Sequence, residues 1–238
     1  MKKLNYLLKS FLVVLFAIVF AQNVNAQTRE ERKLSGFTGI GLSIAADVYL
    51  TQSDTYKCEI EASREDLEEI ETYVEGDVLK IKNRDHFRFD FHDRKVKIYI
   101  SLPKLNNVGI SGSGDILAQT PIKTDELDVK ISGSGNVKIE SLSAKNLDLS
   151  ISGSGDIYFA GSDIVESSSY TISGSGDIDT QNLQSKKVEV HISGSGDVRV
   201  WSVDELDARV SGSGDVYYKG RPIVDAKSSG SGGIQHIQ

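Results

Sequence analysis

The chain has few of the residues that cross-link or bend a backbone: one cysteine and three prolines among 238 residues. A single cysteine, Cys58, excludes an internal disulfide bond. It falls on the apolar side of an alternating segment, which predicts a buried and unreactive thiol. Pro103, Pro121 and Pro222 each fall at a predicted strand end or turn, so they interrupt no predicted strand.

Positive charge is also scarce. Lysine and arginine number 27 against 34 aspartate and glutamate residues, which gives a formal net charge of -7. Removal of residues 1–26 would take away three lysines and no acid, so the net charge would become -10. Such a chain lacks the basic face that phosphates require, which argues against nucleic acid as a partner.

Residues 1–26 have the features of a signal peptide. Three lysines precede an apolar run over residues 11–21, and small residues precede Gln27. The run is too short to span a membrane as a mature helix, and cleavage before Gln27 would leave no transmembrane segment. We therefore expect an exported protein in the periplasm or at the cell surface. An uncleaved membrane anchor is the alternative.

A Ser-Gly-Ser-Gly motif is abundant and usually continues with Asp and an apolar residue. It occurs seven times at spacings of 18 to 21 residues, and a short fixed period of this kind indicates stacked repeats. The motifs begin at Ser111, Ser132, Ser152, Ser173, Ser193, Ser211 and Ser229.

The segment from Leu127 to Ile139 shows the structure that one repeat predicts. Its apolar residues share one parity with Gly133 and Gly135, and the polar residues occupy the other. Alternation with a period of two indicates a strand. The glycines fall where an inward side chain would have no room, as expected where the backbone bends and closes on the core.

One such unit cannot bury its apolar face alone, whereas stacked units can. We therefore predict an all-β fold, a β-solenoid or right-handed β-helix-like stack of rungs of about 20 residues each. In the alternative, Gly-Ser-Gly-Asp forms a hairpin turn in an antiparallel arrangement. The unbroken parity through the glycines favours the solenoid.

The predicted organisation has three parts after the signal peptide. Residues 27–34 form a charged, loose leader, residues 35–105 an N-terminal β region with degenerate capping rungs, and residues 106–238 the repeat solenoid. The sequence Ala45-Ala46-Asp47 echoes Gly-Ser-Gly-Asp, which is typical of an atypical terminal repeat.

The N-terminal β region contains one predicted helix, Ser63 to Glu71, because Ser63 and Asp66 resemble a capping box. A hairpin over residues 73–81 follows. His86 and His92 could ligate a metal only if the chain turns, because an extended strand separates them by about 20 Å.

Stacking would align the residue that follows each motif into one outer column. Neighbouring carboxylates at a strand spacing of about 4.8 Å repel each other by roughly 0.9 kcal/mol in water. Each Asp could offset this by capping its own turn. Alternatively, the column binds a polyhydroxylated ligand or cations. We expect no cofactor, and the alternative is calcium bound by Asp156, Asp177 and Asp197. The column, here called the Asp column, comprises Asp115, Asn136, Asp156, Asp177, Asp197 and Asp215.

Outward aromatic side chains lie close to the Asp column. Tyr158, Tyr217 and Trp201 are candidate binding residues together with the column, because aromatic rings beside carboxylates suit sugars, which offer an apolar face and hydroxyl groups. Isolated surface aromatics also occur without any function. The row just beyond the column comprises Leu117, Lys138, Tyr158, Asp179, Arg199 and Tyr217, and is called the outer row.

No catalytic constellation is evident. The sequence has no Gly-x-Ser-x-Gly elbow, no His-Glu-x-x-His and no phosphate-binding loop. The acids recur on every rung, whereas an active site is usually a local asymmetric cluster. We therefore predict a non-enzyme, with a carbohydrate-active enzyme as a lesser alternative.

Four features in this order resemble the bacterial putative auto-transporter adhesin, head GIN domain family. They are Gly36 to Ile40, Val78 to Ile81, Ile98 to Leu105, and the Ser-Gly-Ser-Gly-Asp repeats. The resemblance covers nearly the whole mature chain. It implies an all-β, β-helix-like head with an adhesin role, and it carries over no catalytic residue.

Three functional hypotheses remain open at this point. The first is an exported, non-enzymatic adhesin-like or glycan-binding module whose partners are surface glycans or envelope components. The second is a structural or self-assembling envelope scaffold. The third is a binder of ice or mineral surfaces, which the charged Asp column disfavours for ice.

Overall fold

The computed structural model describes residues 27–84 and 96–238. The predicted signal peptide and the pair His86 and His92 lie outside the described residues. Within them the chain forms 21 strands and one short helix, and no helix there is long and apolar enough to cross a bilayer. The elements are β1 (Thr28–Glu31), β2 (Gly39–Leu42), β3 (Asp47–Gln52), β4 (Lys57–Ala62), α1 (Arg64–Glu69), β5 (Ile70–Glu75), β6 (Val78–Asn83), β7 (Lys97–Leu102), β8 (Asn107–Ile110), β9 (Asp115–Ala118), β10 (Ile122–Lys123), β11 (Glu126–Ile131), β12 (Val137–Ile139), β13 (Leu142–Ser143), β14 (Asn146–Ile151), β15 (Ile157–Ala160), β16 (Val165–Ile172), β17 (Ile178–Ile192), β18 (Val198–Val210), β19 (Val216–Lys219), β20 (Ile223–Ser228) and β21 (Ile234–His236).

The strands stack in parallel into two long columns, and each coil of the chain contributes one strand to each column. The first column runs β6, β2, β8, β11, β14, β16, β17, β18, β20. The second runs β7, β3, β9, β12, β15, β17, β18, β19, β21. The predicted β-solenoid is confirmed, and the antiparallel hairpin alternative is wrong because neighbouring coils are parallel throughout the repeats.

The core is made of like residues stacked on like residues. Ile131, Ile151, Ile172 and Ile192 pair in register along the first column, and each is at most 2% exposed. Branched aliphatic side chains suit this position because they pack well on a pleated surface. The alternation seen in the sequence therefore sets which side chains enter the core.

The glycines of the motif permit contact between coils. A Cβ atom on Gly176 would overlap the carbonyl oxygen of Gly155, and one on Gly155 would overlap that of Gly135. The backbones also bond directly at the bend, where the Ser175 N–H donates to the Gly153 carbonyl at 2.9 Å. The prediction that a side chain would have no room at these glycines is confirmed, and the backbone of the neighbouring coil is what fills the space.

The coil formed by β2 and β3 follows the geometry of the repeats. Asp47 pairs with Asp115, and a Cβ on Gly114 would meet the carbonyl oxygen of Ala46 at 2.5 Å. Ala45-Ala46-Asp47 thus occupies the place of a repeat motif. The chain order differs from the spatial order, because the β6–β7 coil stacks on the far side of β2 and β3.

Antiparallel strands cover the N-terminal end of the stack. Strand β5 pairs with β6 as a hairpin, as predicted, and β4 pairs with β7. Helix α1 joins β4 to β5, and its N-cap Ser63 accepts a hydrogen bond from the Asp66 N–H at 3.1 Å. The predicted helix is confirmed but ends at Glu69, because Glu71 belongs to β5.

Residues 28–31 are held in the structure. They form β1, which pairs antiparallel with β4, and Arg29 makes ion pairs with Glu59 at 3.0 Å and Glu61 at 2.7 Å. The expectation of a loose leader is therefore wrong for this segment. Arg29, one of the charged residues that suggested a loose segment, is bound to complementary charges on β4.

Candidate functional site

The Asp column forms a hydrogen-bonded ladder along the stack. The Asn136 N–H donates to Asp115 Oδ1 at 2.8 Å, and the Asp197 N–H donates to Asp177 Oδ1 at 2.7 Å. The intervening and following coils make the same bond. The interpretation that each Asp caps its own turn is wrong, because each accepts from the main chain of the next coil.

This ladder explains how like charges are tolerated in one column. A hydrogen bond from a backbone N–H to a carboxylate is charge-assisted and offsets the weak repulsion between exposed carboxylates. Asn136 adds a second bond, from its Nδ2 to Asp115 Oδ1 at 2.8 Å. The last position in the column is Gly233, which donates its N–H to Asp215 Oδ1 at 2.6 Å and carries no side-chain acceptor of its own.

The Oδ2 atoms of the Asp column take no part in the ladder, and their contacts differ from one coil to the next. Asp215 Oδ2 accepts a hydrogen bond from the Tyr217 hydroxyl at 3.2 Å. Arg199 lies 3.6 Å from Asp197 Oδ2 and 3.9 Å from Asp177 Oδ2. Within residues 27–84 and 96–238 no three His, Cys, Asp or Glu side chains are grouped as metal ligands. Calcium binding by Asp156, Asp177 and Asp197 stays a prediction.

The outer row lies in the order that the repeat period predicts. Lys138 pairs with Leu117 and Tyr158, and the register continues through Asp179 and Arg199 to Tyr217. The Arg199 guanidinium lies 5.1 Å from the centre of the Tyr217 ring. The hydrogen bond to Asp215 raises the pKa of the Tyr217 hydroxyl above its ordinary value.

Trp201 belongs to the same cluster. It pairs with Lys219 on the neighbouring strand, two residues beyond the pair of Arg199 and Tyr217. Trp201 and Tyr217 therefore face the same side of the sheet, about 8 Å apart, given a strand spacing of about 4.8 Å and a rise of about 3.3 Å per residue. The Lys219 Nζ lies 6.0 Å from the indole ring. Trp201, Tyr217, Asp215 and Arg199 therefore form one half-buried patch, called the aromatic patch below.

Tyr158 lies apart from the aromatic patch. Three strand spacings, about 14 Å, separate it from Tyr217 along the outer row. Its own neighbours are Lys138, with Nζ 5.6 Å from the ring centre, and Asn182, whose Nδ2 is 3.5 Å from the hydroxyl. The nine predicted binding residues thus share one face, but only some of them touch a common volume.

Two further tyrosines continue the outer row, and sequence reasoning missed them. Tyr49 pairs with Leu117, and its ring stacks on that of Tyr99 with 5.3 Å between centroids. Tyr49 could have been found by aligning Asp47-Val48-Tyr49 with Asp215-Val216-Tyr217. Tyr99 carries no such signal, because only the tertiary structure shows where its coil stacks.

These features define a β-solenoid protein with a repetitive acidic and aromatic face. The chain belongs to the family described as "Putative auto-transporter adhesin, head GIN domain", which matches residues 36–222. Comparison with curated proteins gave no match.

Solved structures have the same architecture. A putative adhesin from Bacteroides fragilis NCTC 9343 superimposes with a TM-score of 0.81 at 27% identity, covering 89% of this chain and 97% of that one. A putative lipid binding protein from Parabacteroides distasonis ATCC 8503 has a TM-score of 0.74 at 26% identity, covering 90% and 98%. A putative adhesin from the same organism has a TM-score of 0.72 at 23% identity, covering 90% and 98%, and supports the fold alone.

Proposed function

We propose that this protein is the non-enzymatic head of an exported adhesin and that it binds carbohydrate at the aromatic patch. The observation that carries the proposal is the pair Trp201 and Tyr217 on neighbouring strands of one face, with Asp215 fixing the Tyr217 hydroxyl at 3.2 Å. A ring held by a hydrogen bond loses less conformational freedom when a ligand binds, which favours affinity.

The chemistry of the patch suits a sugar. An indole and a phenol offer apolar surface to the C–H face of a pyranose. Asp215, and Asp197 beside the patch, offer carboxylate oxygens to hydroxyl donors. Arg199, and Lys219 beside the Trp201 ring, offer donors to hydroxyl, carboxylate or sulfate oxygens. The cations beside the rings favour sugars that carry an anionic group, because an exposed cation–π pair is worth only about 0.5–1 kcal/mol and a stronger ionic partner can displace it.

Family membership supports the adhesin role and export. The matched family is described as an adhesin head, and the Bacteroides fragilis neighbour is described as a putative adhesin. The predicted signal peptide over residues 1–26 agrees with export to the periplasm or the cell surface. A structural envelope scaffold is the second candidate, favoured by strand β20, whose six residues are all exposed.

A glycan array that includes neutral, uronic-acid and sulfated sugars tests the proposal directly. Mature protein, residues 27–238, would be applied once with calcium and once with a chelator. Selective binding in both conditions is the expected result and assigns recognition to the aromatic patch. Binding lost on chelation would tie the Asp column to calcium-assisted recognition.

Two other results would count against the proposal. A blank array in both conditions would remove the support for carbohydrate binding and leave the scaffold as the better reading. Phospholipid vesicles form a parallel arm, because one structural neighbour is described as a lipid binding protein. Binding to vesicles without binding to sugars would point to lipid as the ligand class.

A further inference from the structure

The strands at the two ends of the solenoid differ in how they are paired. Antiparallel strands β5 and β4 cover the N-terminal coil. At the other end, among the described residues, β20 has β18 as its only strand partner. All six residues of β20 are exposed, with Ile223 at 80% and Val224 at 39%. A strand edge of this kind is a template for pairing with another chain.

The register on β18 decides which backbone groups of β20 face the open edge. The Ser229 N–H donates to the Val210 carbonyl at 2.9 Å, so odd-numbered residues of this segment point their amides at β18. Because amide directions alternate along a strand, the N–H and C=O groups of Val224, Ala226 and Ser228 point the other way. Each of these three residues offers one donor and one acceptor at the open edge.

We propose that two copies of this protein dimerise by antiparallel pairing of their β20 strands about a two-fold axis at Ala226. In this register Ala226 pairs with Ala226 of the second copy, and Val224 pairs with Ser228. The two-fold axis generates the pair of Val224 and Ser228 twice, so there are three pairs in all. Each is of the hydrogen-bonded kind, in which both residues exchange N–H···O bonds. The interface is isologous, since each strand presents the same surface to its twin.

Charge selects the same register. The pairing places Asp225 opposite Lys227 of the second copy, twice, in the pairs where side chains approach most closely. Lys227 has no ion-pair partner in the part of the chain that the structure describes, whereas Asp225 is paired with Arg209 at 2.9 Å. Sliding the strands by two residues in either direction loses both contacts. The backbone pattern and the side-chain charges therefore agree on one arrangement.

The pairing would also cover apolar surface. Val224 and Ala226 stand in register with Leu206 and Ala208, which are at most 1% exposed in the coil beneath. They continue the core to the end of the stack, where only one side of them is covered. A second copy would place equivalent residues on that open side and extend the core across the two-fold axis.

Sedimentation equilibrium of mature protein, residues 27–238, tests the dimer. We expect a concentration-dependent monomer–dimer equilibrium. Lys227→Asp places Asp against Asp, and Asp225→Lys places Lys against Lys, so each should weaken dimerisation by about tenfold or more. Mixing the two variants should restore a heterodimer, because every pair across that interface is then of opposite charge.

Two further variants separate the strand edge from general effects of charge. Ala226→Pro removes an amide that points away from β18, so β20 should stay in the sheet while the dimer is lost. Lys104→Asp makes the same charge change at an exposed lysine remote from β20 and should leave dimerisation unchanged. Circular dichroism of each variant checks that the solenoid is folded.

Either of two results would overturn the proposal: a wild-type protein that stays monomeric at all concentrations, or a dimer that persists unchanged in both Lys227→Asp and Ala226→Pro. The glycan array and the sedimentation experiment test different surfaces, so a negative result in one does not predict a negative result in the other. The aromatic patch lies on the outer face of the second column, whereas β20 is the last strand of the first column.

Discussion

The main-chain N–H of Asp197 donates to Asp177 Oδ1 at 2.7 Å, so the side chain of one coil bonds to the backbone of the next. The two residues lie in neighbouring coils at the same corner of the solenoid. The contact places an acceptor at a bend where the backbone leaves the regular sheet. Repeated at each coil, it makes the Asp column a structural connection between coils as well as a partly exposed acidic surface.

Two substitutions at Asp177 distinguish the effect of its hydrogen-bond acceptor on stability from the effect of its negative charge. Asp177→Ala removes the acceptor and should lower the free energy of unfolding by about 1–3 kcal/mol. Asp177→Asn should lose less, because Asn136 already makes the equivalent bond to the Asp156 N–H at 2.8 Å. Urea denaturation of the wild type and both variants measures the difference. Equal losses in the two variants would show that the negative charge, and not the acceptor, stabilises the corner.

The glycines at the bends should tolerate no side chain. Gly176→Ala forces a methyl group onto the Gly155 carbonyl oxygen, so we expect a loss of about 3 kcal/mol or more in the free energy of unfolding. Gly233→Ala is the matched control, since its nearest neighbour would be Asp215 Oδ1 at an ordinary 3.5 Å. Thermal and urea unfolding compare the two. A Gly176→Ala protein as stable as Gly233→Ala would contradict the packing at the bends.

Carbohydrate binding should depend on the aromatic patch. Trp201→Ala should weaken binding of any sugar found on the array by about tenfold or more, because stacking on an aromatic ring would be lost. Tyr73→Ala is the control: Tyr73 also has a cation over its ring, Lys82 at 5.0 Å, but lies on β5 at the covered end. Titration calorimetry measures both affinities. Equal loss in the two variants would place the site elsewhere.

Cys58 should make stability depend on pH at high pH. Burial raises the pKa of its thiol from 9.0 to about 11. As pH rises, the thiol of the unfolded chain therefore loses its proton before that of the folded chain does. The contribution of the neutral, buried thiol to the free energy of unfolding is fully present below pH 9 and is lost as pH rises towards 11. The free energy of unfolding should fall by about 1.4 kcal/mol per pH unit in that window.

The matched variant for this prediction is Cys58→Ala, which lacks the thiol and should show a shallower decline over the same window. Tyr170, another buried group whose pKa is raised by burial, is present in both proteins, so the difference between them isolates Cys58. Unfolding curves recorded at several pH values provide the slopes. Parallel slopes in the two proteins would show that the thiol is not buried in its neutral form.

Much of the repeat region could be predicted because its side chains alternate with a strict period. The alternation of side chains along each strand assigned Ile131 to the core and Tyr158 to the surface. The spacing of the motifs aligned Arg199 with Tyr217 on neighbouring strands. The N-terminal region was harder, because Ala45-Ala46-Asp47 is only a faint copy of the motif. The charges of residues 28–31 suggested a loose leader, because the ion-pair partners of Arg29, Glu59 and Glu61, lie far along the chain.

The sequence by itself determined that this protein is a stack of strands with acidic corners, because period-two alternation and a fixed repeat leave few other ways to bury the apolar face. Only the tertiary structure decided what the corner residues contact. Asp177 and Gly176 face the coils on either side of their own, and a linear pattern does not say which atoms of those coils come close. The tertiary structure likewise placed the β6–β7 coil beyond β2 and β3. It also left β20 with a single strand partner among residues 27–84 and 96–238. Both outcomes depend on long-range packing, which sets the order in which coils stack.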